Sequence, residues 1–210
     1  MTTVMAMLNV SDADTESEDG LNHQQRKVLY RLIVAGEASA SPTHDHDYTI
    51  TKALGFHPAI CGEIGESLKY LVEAGFVQKL LGTEPSSAYG KTQVVTLSKV
   101  TYWPVLDSST GLFIPKDALR RPVLAWLYLY GSLEYDENRA PDNETCHKSL
   151  IAQAMGEPEA LTEAARADVE QISKLGLAAA HLEKRPTQWR GGHGQMHDIM
   201  ATHVTVELIS

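Results

Sequence analysis

Leu68-Lys69-Tyr70-Leu71-Val72-Glu73-Ala74-Gly75-Phe76-Val77 is the stretch on which the fold turns. Leu68, Leu71 and Val72 keep the i, i+3, i+4 spacing of a buried helical stripe, and Ile60 and Ile64 extend that stripe upstream. Pro58 stands at the first turn, where its missing N–H costs nothing. Gly75 stands where a left-handed residue closes a helix. Phe76-Val77 then opens an extended run. A helix from Pro58 that passes through one glycine into a strand over 76–81 is therefore predicted.

Working upstream, a short helix is expected over 50–55, between Thr49 as N-cap and Gly55 as terminator. A polar loop precedes it, with Ser39, Ser41, Pro42 and His44-Asp45-His46-Asp47. Before the loop, Val28, Leu29, Leu32 and Ile33 mark a first helix over 22–35, closed by Gly36. Downstream, a turn-rich stretch from Gly82 to Gly90 leads to a second strand over 92–98, with Val94 and Thr96 alternating with Val95 and Leu97. The two strands read as a hairpin.

The pattern recurs about 100 residues later, a repeat that constrains the architecture before anything else does. Arg26 to Gly36 lies over Arg121 to Gly131, Ile50 to Gly55 over Ile151 to Gly156, and Leu71 to Val77 over Ile172 to Ala178. Pro58 matches Pro158 one gap apart, and Val94 to Leu97 matches Val204 to Leu208. Matching glycines and prolines in one order carry weight, because each marks an element boundary. The second copy is expected to have helices over 122–130, 147–155 and 158–175 and strands over 177–182 and 202–209. A longer, mobile loop over 183–201 would join those strands.

Three helices followed by a hairpin, written twice, resembles the tandem winged-helix (winged helix-turn-helix) proteins. The stretch quoted first, and Val169 to Leu177 in the second copy, resemble the end of a winged-helix recognition helix entering its first wing strand. The implied fold class is α+β, mainly helical, with two modules of three helices and a two-stranded β-hairpin wing. The modules span 21–98 and 118–210. Residues 1–20 form a disordered acidic tail, and 99–117 a linker that packs between the modules.

The chain has 210 residues and a net charge of -9, so it is no polycation. Asp12, Asp14, Glu16, Glu18 and Asp19 place five of those charges in the tail, which lacks aromatics. Strong non-specific nucleic-acid binding draws on clustered Lys and Arg. Binding by a local basic patch remains consistent with the charge. Cys61 and Cys146 make no CxxC pair and no disulfide framework, and Cys61 reads as a buried thiol. No apolar run is long enough to span a bilayer, and no signal peptide opens the chain, so a cytoplasmic address is expected.

The resemblance implies binding to duplex DNA by the third helices and the wings, in the manner of a transcriptional regulator. The richest candidate is the second wing, where Lys184, Arg185 and Arg190 supply cations and Trp189 a stacking or wedging ring, among glycines. The first module adds Lys52, Ser67, Lys69 and Lys91. The third helices themselves are poor in cations: Glu63 and Glu66 in one copy, and Glu157, Glu159 and Glu163 in the other, suit a helix N-terminus more than a phosphate backbone. The alternative is a protein-interaction adaptor that binds no DNA, similar to segregation-and-condensation protein B. The partners expected are duplex DNA in the first reading and a protein in the second, with a homodimer as the assembly and Tyr128, Leu129 and Tyr130 as its exposed contact. No membrane partner is expected.

The histidines of His44-Asp45-His46-Asp47, and His193, His197 and His203, lack the spacing of a structural zinc site. No GxSxG or Walker A motif is present. No metal, no cofactor, no catalytic residue and no enzyme activity are expected.

Overall fold

The computed structural model describes residues 20–42, 45–86, 95–106, 114–137, 151–190 and 196–209. Helix α1 runs His23–Ala35, strand β1 Ala38–Ala40, α2 His46–Ala53, α3 Cys61–Glu73, β2 Val77–Ser86 and β3 Val95–Pro104. The same order then returns: α4 at Pro122–Tyr130, β4 at Ser132–Glu137, α5 with 151–154 described, α6 at Thr162–Lys174, β5 at Ala178–Arg190 and β6 at Met196–Leu208. A single 3-10 turn leads into α3 at Pro58–Ile60 and into α6 at Glu159–Leu161. The fold is α+β, with two antiparallel three-stranded sheets ordered β1-β3-β2 and β4-β6-β5. Among the described residues no helix is long and apolar enough to cross a membrane.

Local chemistry accounts for the helix ends. Asn22 and Gln25 cap α1 reciprocally, each side chain accepting from the other's backbone N–H at 2.9 Å. Gly75 and Gly176 close α3 and α6 at φ 84° and 67°, a conformation that a side chain disfavours. The repeat persists in the hydrogen bonds. Phe76 N donates to Leu71 O and Leu177 N to Ile172 O, both at 2.9 Å, while Val105 N donates to Phe76 O and Ile209 N to Leu177 O.

The sheets differ from the two-stranded wings expected. Each has a third strand, β1 or β4, on the far side of the returning strand. Ala38-Ser39-Ala40 is too short and too low in β-propensity to announce itself. It is extended because Ala38 pairs with Tyr102 and Ala40 with Val100. Strand β3 runs on to Pro104, into the segment expected to be a linker, and buries Val100 and Tyr102. The stretch 183–201 is largely strand: β5 pairs with β6 from Ala178↔Leu208 to Arg190↔Met196. Its charges and proline read as a loop, but an edge strand tolerates both. Helix α2 begins at His46 instead of about 50, anchored by the His46 ring against Ser41 O at 3.1 Å and Tyr102 Oη at 2.9 Å. Cys61 is half-buried at the start of α3, where the helix has not yet turned its face fully inward.

The two repeats share one continuous core. Helices α1 and α4, which correspond in the repeat, pack on each other. Tyr30, fully buried, meets the Trp126 ring edge-on at 5.6 Å, and Trp126 stacks on Tyr130 at 4.1 Å. Arg120 N donates to Ile33 O at 3.0 Å, and the Arg26 guanidinium donates to Leu129 O. The end of α4 is therefore covered from within the chain. Leu129 is buried and Tyr130 half-buried, against the expectation that Tyr128, Leu129 and Tyr130 form an exposed dimer contact. A nearly all-apolar helix has no polar face to turn outward, so α1 takes the second side.

Candidate functional site

Helix α3 turns Ile64, Ser67, Leu68 and Leu71 into the core. Its solvent side carries Gly62, Glu63, Glu66, Lys69, Tyr70 and Glu73. Ser67, expected to touch a ligand, is thus an inward residue: it lies three after Ile64 and four before Leu71, on the same stripe. Lys69 is exposed, and so is Lys52 on α2. Lys91 lies outside the described residues.

Helix α6 repeats the arrangement. Thr162, Ala165, Asp168 and Ile172 face in, while Glu163, Glu170 and Lys174 face out, the last two as an exposed pair 3.6 Å apart. Arg166, the early cation of this helix, is half-buried. The outward faces of α3 and α6 therefore carry more carboxylates than cations.

Lys184 and Arg185 lie on strand β5, not on a loop, and both are exposed. Arg185 is tied to its neighbour, with Nε 2.9 Å and NH2 2.8 Å from Glu183 Oε2. That contact offsets the charge of Arg185, though two side chains this exposed hold each other weakly. Trp189 and Arg190 end β5 opposite His197 and Met196, and their side chains lie outside what is described, as do His44 and His193. His203 stands 3.6 Å from Glu134 across the sheet. Among the described residues no group of His, Cys, Asp and Glu could hold a metal ion.

The hairpins carry a feature that the sequence reading missed. Leu81 is 75% exposed and Leu182 68% exposed. They occupy the same place in the repeat: Leu81 pairs with buried Val100, and Leu182 with buried Val204. Beyond them Gly82 and Thr83 on β2 and Glu183 to Pro186 on β5 are exposed, while Ala201, opposite Arg185 on the returning strand, stays buried. Met200, 60% exposed, sits opposite Pro186 farther along the second hairpin. The signal was present as a leucine five residues into β2 and into β5, but exposure depends on what packs over each strand.

Charged groups on the inner side serve the fold. Asp168 on α6 accepts from Arg121 Nε at 2.9 Å and from the N–H groups of Val123 and Leu124, at 2.9 and 3.1 Å, where α4 begins. Glu157, buried, sits 2.7 Å from Arg31 Nε and joins the second repeat to α1. Burial raises the Glu157 pKa, while Arg31 and Lys27 pull it back down.

No protein-family model, curated protein or solved structure matches this chain.

Proposed function

We propose that this chain is a tandem winged-helix protein that binds another polypeptide through its two hairpins. The winged-helix reading is supported by the element order helix, strand, helix, helix, strand, strand, which occurs twice with one sheet order. The observation that carries the function is the matched exposure of Leu81 and Leu182. A single exposed leucine means little. The same residue exposed at the same place in two copies that differ elsewhere points to use. The acidic outward faces of α3 and α6 oppose a polyphosphate and favour a partner with apolar side chains flanked by Lys or Arg. This is the class of the segregation-and-condensation adaptors that the sequence resembles.

Site-specific photo-cross-linking in the cells that make the protein tests this reading. A photoreactive residue at 81, and separately at 182, should capture one and the same polypeptide. Capture from 81 should fall when Leu182→Asp is added. Capture of nucleic acid alone, or of nothing, would refute the proposal.

DNA binding is kept as a second reading because Lys184 and Arg185 lie exposed on the projecting hairpin, in the strand that ends at Trp189 and Arg190. Fluorescence anisotropy with a duplex from the gene's upstream region and a scrambled duplex, at two salt concentrations, separates the two. The partner reading expects no binding even at low salt. Salt-sensitive, sequence-selective binding that Arg185→Glu/Arg190→Glu abolishes would favour the regulator reading instead.

A further inference from the structure

Helix α3 contains two glycines, Gly62 and Gly65, within its first turns. Neither has the positive φ that calls for glycine. Within a helix glycine costs about 1 kcal/mol relative to alanine, a cost that falls on Gly65 more than on Gly62 at the helix start. Helix α6 has Glu163 and Arg166 at the corresponding places. Gly62 leaves open space, whereas Gly65 lets the Asp47 carboxylate approach the helix backbone closely. A Cβ at Gly62 would meet no atom within 4 Å, and one at Gly65 would lie 2.7 Å from Asp47 Oδ2.

The space in front of them is a half-open cavity of about 590 Å³ between the start of α2, α3 and the base of the first hairpin. That size falls in the range of small-molecule sites. Its polar lining is of two kinds. Lys69 and Lys79 supply cations, and Asp47, Glu66 and Glu73 supply carboxylates. Among the described residues none of these five is in an ion pair. Lys69 nevertheless lies three after Glu66 and four before Glu73, spacings at which helix pairs form.

Tyr102 and His46 also line the cavity, and their roles follow from their bonds. The Ser41 carbonyl can only accept, so a neutral His46 ring donates from Nδ1 and accepts the Tyr102 hydroxyl proton at Nε2. Burial, then the Asp47 charge, raises the Tyr102 pKa and keeps that proton in place. The phenol oxygen is left with lone pairs for a further donor.

A pure anion here would face three carboxylates, and a pure cation would face Lys69 and Lys79, the latter held over the Tyr102 ring at 5.8 Å. We propose that the cavity binds a small zwitterion of amino-acid or dipeptide size, its carboxylate on Lys69 and Lys79 and its ammonium on the acidic side chains. The proposal concerns a different class of ligand from the partner reading and does not use Leu81 or Leu182, although the cavity shares Glu66, Lys69 and Glu73 with the outward face of α3.

Thermal unfolding of the full chain with each free proteinogenic amino acid, and with a set of dipeptides, tests it. A probe at about 10 mM raises the melting temperature measurably for any Kd near or below 1 mM. At least one should do so for the wild type. Gly62→Leu adds a side chain at the cavity wall, where a Cβ meets no atom within 4 Å, so its own melting temperature should match or exceed the wild type, and the ligand shift should vanish. Lys79→Met should fold normally and weaken the effective probe about tenfold, read by calorimetry. No shift with any probe, or a shift undiminished in both variants, would overturn the proposal.

Discussion

At Asp168 one buried carboxylate caps a helix, pairs with an arginine and ties α6 to α4. The side chain is 5% exposed, so removing it strands two helix N–H groups and a guanidinium away from water. Asp168→Ala should cost about 3 kcal/mol, and Asp168→Asn, which can still accept from the N–H groups, clearly less. Urea unfolding of both variants checks the order. Glu157 makes a prediction in pH. Burial favours its protonated form, so its folded pKa stands above its unfolded pKa. Between those values the folded state holds more protons than the unfolded state. Stability from this group therefore falls as pH rises through that window and returns below the ordinary carboxylate range. Glu157→Gln removes the effect. Its urea midpoint should gain on the wild type as pH rises from the carboxylate range to neutral, and a gap that shrinks instead would show that the ion pair with Arg31 outweighs burial.

Among the elements, the long hairpins raise the question of their edges. Strands β2 and β5 lie at the outside of their sheets, and a long free edge invites pairing with another copy. Each carries a proline at the same repeat position, Pro85 opposite Thr96 and Pro186 opposite Met200. Proline has no N–H to offer a new neighbour and is tolerated on an edge strand. Pro85→Thr/Pro186→Thr should therefore raise concentration-dependent association in sedimentation velocity, with the fold unchanged by circular dichroism. Unaltered sedimentation would remove the prolines from this role. The same prolines explain why the hairpins were hard to read. In the sequence Pro186 and its charged neighbours look like a loop, and only the register with β6 makes them strand.

For the molecule as a whole, the junction of α1 and α4 decides behaviour. Because the core is continuous across it, the repeats should unfold together. Tyr30 lies at its centre, fully buried against Trp126. Tyr30→Ala should cost about 4 kcal/mol. Hydrogen exchange should show the same loss of protection at the α3 and α6 amides. Loss confined to α3 would mean that the repeats are separate folding units. The Tyr30 hydroxyl has no hydrogen-bond partner among the described residues, and burial raises its pKa. Tyr30→Phe should thus leave stability equal or higher, which separates packing from hydrogen bonding at this position.

The sequence by itself determined the repeat, the third helix of each copy and its closing glycine, and the hairpin that follows. Those features are local: Leu68, Leu71 and Val72 at helical spacing and Gly75 at positive φ need no distant partner to be read. It also showed the scarcity of cations on α3 and α6. Tertiary structure alone decided the rest. Strand β1 exists because β3 pairs with it, and Ser67 is inside because its stripe meets the core. Leu81 and Leu182 are outside although Val100 and Val204 opposite them are buried, a difference set by what packs around each sheet. The cavity beside Gly62 needs α2, α3 and two strands to enclose it. Burial and pairing are set by residues far apart in the chain, and spacing along one segment holds no record of them.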